Sequence, residues 1–127
     1  MKELTKGEEQ VMQHLWKLEK AFLKDIVEAF SEPRPKYTTV STVIRRLVEK
    51  GFVGYKTYSK VNEYYPNISK EDYFSGFFQK MVNRFFNGSV TGFASFFTEM
   101  EGMSLQDLEK INQMISQQID QKKENDD

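Results

Sequence analysis

Hydrophobic positions in the first part of the chain recur with the period of a helix in three stretches. The first stretch follows Thr5, which forms a capping-box pattern with Glu8 three residues later, and its apolar positions end with Leu15 and Trp16. Two further stretches with helical spacing run over 23–30 and 37–50, and the segment 31–36 between them contains two prolines. Because proline disfavours helix at the residue before it, the sequence predicts three helices with a loop between the second and the third.

The pattern changes to that of strands after Gly51, which suits the C′ position of the third helix. Two runs rich in valine, tyrosine and threonine, FVGYKTY and VNEYYP, are separated by Ser59 and Lys60. They predict a β-hairpin over 53–66, with a short β-bridge at 21–22. We expect the hairpin tyrosines to pack against the protein rather than to stack on bases; they are Tyr55, Tyr58, Tyr64 and Tyr65.

The second half predicts three more helices with large apolar faces. A broad aromatic face begins near Ser69 or Glu71, Asn87-Gly88 interrupts it, and Ser104 caps a last helix with a narrow apolar seam. We expect the charged tail KKENDD to fray. The residues assigned to these faces are Phe74, Phe77, Phe78, Met81, Phe85, Phe93, Phe97, Leu108, Ile111 and Ile115.

These faces are too large for the first 67 residues to cover, which favours burial between two copies of the chain in a homodimer. Two alternatives stay open: the helices could fold back on the head of a monomer, or form a pocket for a small ligand. The fold class is therefore mainly α with a small β-hairpin. A winged helix-turn-helix head occupies 1–67, and a helical dimerisation region with a frayed acidic tail occupies 68–127.

The third helix has an outward face of small hydroxyl and guanidinium side chains. Thr38, Ser41, Thr42 and Arg45 lie opposite its apolar stripe, with Arg46 at the edge. Such a face suits a helix in the DNA major groove, although an ordinary solvated face would contain the same residue types. The preceding short helix and the following hairpin favour DNA, since together they make a helix-turn-helix with a wing.

Charge distribution supports the same interpretation. The formal net charge is −1, but 31–60 contains seven Lys or Arg against two Glu, whereas 98–127 contains three against eight acids. The basic stretch surrounds the outward face of the third helix. We assign three lysines of this stretch, which lie outside that face, to phosphate contacts: Lys36, Lys56 and Lys60.

Composition excludes several classes of site. No cysteine is present, and His14, the single histidine, has no carboxylate or second imidazole placed beside it, so we expect a packing residue and no metal site. The acid pairs Glu8-Glu9 and Glu71-Asp72 are explained as helix-start charges, so we expect no enzyme and no cofactor. No apolar run is long enough to span a membrane, which favours a cytoplasmic location.

The sequence TTVSTVIRRLVEKGFV, together with the EEQVMQHLW helix and the Tyr-Tyr-Pro end of the hairpin, resembles the penicillinase and methicillin-resistance repressor family, which also includes copper-responsive repressors. The resemblance extends from Leu4 to about Ile119. It implies a homodimeric transcriptional repressor that binds a pseudo-palindromic operator. The positions that match DNA-contacting residues of the family are Thr38, Thr39, Ser41, Thr42 and Arg46.

Two departures from the family concern signalling. The C-terminal cysteine cluster of the copper-responsive members is absent, which puts thiolate metal sensing out of reach. Antibiotic-responsive members are cut by a sensor protease, commonly at an Asn-Phe bond, which corresponds to Phe96-Phe97 here. The resemblance thus implies a sensor protease as a candidate partner. A regulator or interaction module controlled by a small ligand in the aromatic C-terminal region is the alternative function.

Overall fold

The computed structural model describes residues 3–126, which form six helices and three short strands. The elements are α1 (Lys6–Leu18), β1 (Ala21–Phe22), α2 (Leu23–Ala29), α3 (Tyr37–Glu49), β2 (Val53–Tyr58), β3 (Val61–Pro66), α4 (Lys70–Phe85), α5 (Val90–Thr98) and α6 (Leu105–Asn125). The predicted order of helices and hairpin is confirmed. This is a mainly α fold with a winged helix-turn-helix at its start.

Local sequence signals define the ends of the helices. The Thr5 hydroxyl accepts the Glu8 N–H and the Glu8 carboxylate accepts the Thr5 N–H, so the capping box at α1 is confirmed. At the end of α3, Gly51 has φ +85°, and Phe52 N–H donates to Leu47 O. That bond spans the αL residue as in a Schellman motif, which explains why glycine ends this helix.

The three strands form one antiparallel sheet in the order β1-β3-β2. Tyr55 pairs with Tyr64 in the hairpin, and Ala21 pairs with Tyr64 on the other side of β3. Ser59 turns the hairpin with φ +58°. Gly54 lies under the Tyr65 ring, where an added Cβ would come within 2.7 Å of ring atoms. The wing therefore has one close-packed aromatic position at its base.

A single apolar core joins α1, α2, α3 and the base of the hairpin. It comprises Leu4, Val11, Met12, Leu15, Ala21, Ile26, Val27, Val40, Ile44, Leu47, Phe52 and Val53. The burial of so many aliphatic side chains provides the main driving force for folding this part of the chain. It also holds α3 by one face only, which leaves the opposite face at the surface.

The explanation of Glu8 as a helix-start charge alone was wrong. Glu8 is 1% exposed, and its Oε1 accepts a hydrogen bond from Lys50 Nζ at 2.6 Å, so the helix dipole alone does not account for it. Burial of the Glu8 carboxyl raises its pKa, but the Lys50 and Thr5 hydrogen bonds outweigh this and leave the pKa below its usual value. The pair joins the start of α1 to the end of α3.

The chain divides into two compact units, of which the first ends at Gln79 and the second begins at Lys80. The first half of α4 belongs to the first unit, where Trp16 Nε1 donates to Ile68 O at 2.8 Å and Leu4 N–H donates to the Tyr73 hydroxyl at 3.2 Å. These bonds place the division of contacts inside α4 rather than at 67. Assignment of 1–67 and 68–127 to separate functions stays a prediction.

In the second unit, Ser104 caps α6 in a capping box with Asp107, as predicted. The expected fraying of the tail was wrong as far as Asn125, because α6 continues to that residue and Asp126 N–H donates to Lys122 O. Lys122 and Lys123 lie in the last turn, where positive charge favours the negative end of the helix dipole. Asp127 lies outside the described residues.

Candidate nucleic-acid interface

The orientation of α3 follows from its hydrophobic stripe. Val40, Ile44 and Leu47 are at most 2% exposed and pack into the core of the first unit. Side chains on the opposite face of the helix point away from this core, so the outward residues stay at the surface. Thr38, Thr39, Thr42, Arg45 and Arg46 are exposed, and Ser41 is half-buried.

Four of the predicted base-reading or phosphate-binding residues lie together around one shallow hollow. Two apolar residues that sequence reasoning missed, Leu23 and Tyr37, complete it. Tyr37 is 49% exposed. Its place directly before Thr38, one turn from Ser41, is the sequence signal that could have singled it out. The hollow is lined by Leu23, Tyr37, Thr38, Ser41, Thr42 and Arg45. Its mixed lining can contact both the polar edge of a base and a methyl group.

The hydroxyl of Thr42 is already engaged within the helix. Thr42 Oγ1 donates to the backbone oxygen of Thr38 at 2.9 Å. This bond fixes the side-chain rotamer and removes the hydroxyl proton as a donor for any ligand. Thr42 therefore offers its methyl group and an acceptor oxygen.

Thr39 and Arg46 lie on a different edge from this hollow. They are seven residues apart, which places them on the same side of the helix. Thr39 lines a cleft of about 550 Å³ with Val40, Val43 and residues of the 31–36 loop. The structure thus separates Thr39 from Thr38, Ser41 and Thr42, as its position near the edge of the predicted face suggested.

The first turn of α3 exposes backbone amides without a side-chain cap. Lys36 is the N-cap residue with an extended backbone, its side chain makes no capping hydrogen bond, and no acidic residue lies in the first turn. Free N–H groups and the positive end of the helix dipole attract an anion. This end of α3 is therefore compatible with a backbone phosphate.

The wing presents two lysines and more exposed aromatic surface than expected. Lys56 and Lys60 are both exposed, and the Lys56 ammonium lies 5.3 Å from the centre of the Tyr58 ring. Tyr55, Tyr58 and Tyr65 are 41–48% exposed, although each ring lies against another part of the protein. The choice between packing and base stacking stays a prediction for these three. A two-stranded hairpin beyond the edge of the core has too few neighbours to cover them. Tyr64 alone of the four packs against the core.

Ion pairing distinguishes the basic residues of 31–60. Arg34 pairs with Glu32 at 3.6 Å and donates to Phe30 O, and Lys50 pairs with Glu8. The other five form no ion pair with any residue in 3–126, and they are Lys36, Arg45, Arg46, Lys56 and Lys60. They are the five cations that sequence reasoning assigned to phosphates. Unpaired exposed cations need not break an internal ion pair before they bind an anion.

His14 is a packing residue, as predicted. Its ring lies 4.3 Å from the ring of Phe30, and its pKa is lowered by burial and by the nearby charge of Lys17. In the part of the chain that the structure describes, no three His, Cys, Asp or Glu side chains come together to hold a metal ion. None of the described helices is long and apolar enough to cross a lipid bilayer.

The predicted dimerisation residues divide by exposure. Phe74, Phe77, Phe85 and Ile115 are 42–67% exposed, while the other six are half-buried. Those six are Phe78, Met81, Phe93, Phe97, Leu108 and Ile111. Within the second unit Phe93 stacks on Phe97 with ring centres 5.8 Å apart, and Phe86 meets Phe93 edge-on. Among residues 80–126 only Val82 is buried, so this unit has hardly any core of its own.

Comparison with known proteins identifies the family. The family described as penicillinase repressor matches residues 4–117. The chain belongs to this family. The resemblance to this family, which was stated from the sequence around α3, is thereby confirmed.

Relatives match over nearly their whole length. The chain is 26% identical over 125 residues to a penicillinase repressor of Bacillus licheniformis, covering 96% of each chain. It is 26% identical over 117 residues to the methicillin resistance regulatory protein MecI of Staphylococcus aureus (strain N315), covering 90% of this chain and 94% of that relative. Among solved structures, the solution structure of the DNA binding domain of the repressor BlaI is 27% identical, with a TM-score of 0.49 over 57% of this chain and 94% of that one.

Proposed function

We propose that this member of the penicillinase repressor family is a homodimeric transcriptional repressor that binds a pseudo-palindromic DNA operator through α3 and the β2–β3 wing. The observation that carries the proposal is the set of five cations without an ion-pair partner in residues 3–126, which flank the outward face of α3 and continue onto the wing. Phosphate contacts from such residues provide affinity, and groups on a groove-lying helix provide specificity.

In this proposal each group has a separate task. The hydroxyl residues Thr38, Thr39, Ser41 and Thr42 contact base edges. Their short side chains let the helix backbone approach the major groove closely. The phosphate contacts come from Lys36, Arg45, Arg46, Lys56 and Lys60. Because the hydrogen bond to Thr38 O engages the Thr42 hydroxyl proton, Thr42 contributes an apolar contact to a base methyl group.

Dimerisation is proposed from the exposed apolar surface of the C-terminal helices. Four large side chains there, Phe74, Phe77, Phe85 and Ile115, are 42–67% exposed. Pairing with a second copy would remove this surface from water and set two α3 helices about one DNA turn apart. An inverted-repeat operator is the DNA counterpart of that two-fold symmetry.

DNA binding is tested by gel-shift titration on operators selected from a random duplex pool. Because the protein releases counterions, log affinity should fall linearly with log salt concentration, with a slope of about −0.9 for each phosphate contact. Arg46→Ala should weaken binding by about 1–3 kcal/mol. Lys123→Ala, which removes the same charge from the last turn of α6, is the matched control and should leave affinity unchanged. Absent or salt-insensitive binding would count against the proposal.

Dimerisation is tested by sedimentation equilibrium. Ile115→Gln should shift the chain toward monomer because it removes an apolar residue from the α6 seam. Met114→Gln is the matched control, since Met114 is 63% exposed on the same helix but lies off that seam. A wild-type chain that stays monomeric at micromolar concentration, or equal effects of the two substitutions, would refute the proposed interface.

Release of the repressor by proteolysis is the further part of this proposal. The bond between Phe96 and Phe97 lies within α5, so a protease that binds an extended substrate must first unfold that helix. Cleavage there would separate the head from α6 and weaken the dimer. Incubation with the cognate sensor protease, followed by mass spectrometry, is the test. A chain that stays intact would remove this mode of induction and leave DNA binding in place.

A further inference from the structure

A cleft between α1 and the first half of α4 has aromatic walls. Its volume is about 330 Å³, near the lower end of the range for small-molecule sites. All its lining residues belong to the first compact unit. Those that matter here are Trp16, Tyr73, Phe74, Phe77, Glu9 and Lys70. We call it the aromatic cleft.

Two of the rings are held in place by their polar groups. Trp16 Nε1 donates to Ile68 O, and the Tyr73 hydroxyl accepts the Leu4 N–H. The two ring centres are 5.9 Å apart. These two hydrogen bonds fix the orientation of both rings, so the π surfaces that face the cleft are preorganised.

The charge of the aromatic cleft comes from Glu9 and Lys70. Although both line it, neither forms an ion pair with any residue in 3–126. Lys70 also borders a second hollow, which is lined by Lys17, Glu19 and Glu71. The Glu9 carboxylate lines the aromatic cleft beside the rings and has no ion-pair partner among residues 3–126.

We propose that the aromatic cleft binds a small organic cation of the alkylammonium class. Ring faces attract such a cation through their quadrupoles, and a carboxylate without a counter-ion adds a direct charge interaction. A neutral apolar molecule would use the rings but leave the carboxylate partly desolvated and unpaired. This site is additional to DNA binding.

The single tryptophan makes the test direct, because Trp16 is a wall of the cleft and the only indole in the chain. Tetramethylammonium chloride is titrated against the full-length protein while Trp16 fluorescence is followed, with sodium chloride at equal ionic strength as the salt control. We expect a saturable change with the ammonium salt alone. The neutral tert-butanol, of similar size, should bind at least about fivefold more weakly, which corresponds to roughly 1 kcal/mol.

Substitutions separate a charge effect from a packing effect. Glu9→Gln keeps the shape of an exposed side chain and should weaken tetramethylammonium binding about fivefold. Glu28→Gln, on the exposed side of α2, makes the same charge change outside the cleft and should have no effect. Phe77→Leu should also weaken binding, since it removes a π surface.

Three results would overturn the proposal: no saturable change, equal binding of tert-butanol, or equal effects of the Glu9 and Glu28 substitutions. Phe74 and Phe77 also belong to the proposed dimerisation face, where a second copy could cover them. The titration is therefore run on the wild-type chain and on Ile115→Gln, and the absence of a saturable change in both is the first of the outcomes that overturn the proposal. Failure of cation binding would not affect the gel-shift result. The two proposals can therefore fail separately.

Discussion

Removing the positive partner of the buried Glu8 carboxylate should destabilise the head strongly. In Lys50→Met the aliphatic part of the side chain is kept, but the hydrogen bond of 2.6 Å to Glu8 Oε1 is lost. Glu8 is 1% exposed and its other oxygen, Oε2, already has no hydrogen-bond partner among the described residues. The substitution therefore removes the positive charge beside the buried carboxylate and leaves the Thr5 N–H as its hydrogen-bond donor among the described residues.

The expected loss is about 2–3 kcal/mol of unfolding free energy. Breaking a fully buried ion pair typically costs about 3–5 kcal/mol. We expect a smaller loss than that for Lys50→Met because the Lys50 side chain is 24% exposed, so water can reach part of the site. The Thr5 N–H, which remains bonded to Glu8 Oε1, also keeps one stabilising contact.

The stability difference between wild type and Lys50→Met should depend on pH in a direction that the pKa of Glu8 determines. In the wild type the pKa of Glu8 is lowered, so the pair stabilises the fold above the unfolded pKa of about 4.3 and this contribution is lost as pH falls through the folded pKa. In Lys50→Met the lowering of the Glu8 pKa by Lys50 is lost while burial still acts, so this pKa should rise relative to the wild type. Protonation then relieves the buried charge, so the difference between wild type and variant should shrink as pH falls from 7 to 4.

Urea denaturation followed by Trp16 fluorescence measures this quantity, since Trp16 reports on the first unit. Lys56→Met, at an exposed lysine of the wing, is the matched control and should change stability by less than about 0.5 kcal/mol. In Glu8→Gln/Lys50→Met much of the lost stability should return, because no charge is buried. A loss below about 1 kcal/mol for Lys50→Met at pH 7, or one that does not vary with pH, would refute the reasoning.

Three further outcomes follow from local geometry. Thr5→Ala removes one half of the capping box and should cost about 1 kcal/mol in the same urea assay, against no loss for Thr39→Ala on the exposed side of α3. Gly51→Ala forces a side chain into φ +85° and should cost about 1 kcal/mol, measured likewise, and an unchanged midpoint would show that the turn rearranges freely. Thr42→Val keeps the methyl group and should bind the selected operator within about twofold of wild type in gel shifts, whereas Thr42→Ala should bind it at least about fivefold more weakly. Equal losses for the two variants would mean that the Thr42 hydroxyl contacts DNA.

Residues close together in sequence account for what could be predicted. The capping box of Thr5, the αL residue Gly51 and the change to strand composition after it act within a few residues, so they define helix ends and the hairpin without knowledge of the rest. The outward face of α3 is equally local, because one apolar stripe decides which side of a helix is free. The helices of the head, its hairpin and the outward face of α3 were predictable for this reason.

Contacts between distant parts of the chain decided the rest. Glu8 and Lys50 are 42 positions apart, and Trp16 and Ile68 are 52 apart, so no periodicity relates them. Only the packing of α1 against α3 buries Glu8, and only the docking of α4 onto α1 creates the aromatic cleft. Sequence alone determined which helices form and which face of α3 is polar. The tertiary structure determined which charges are paired and which remain free, because ion pairing depends on distances that folding sets.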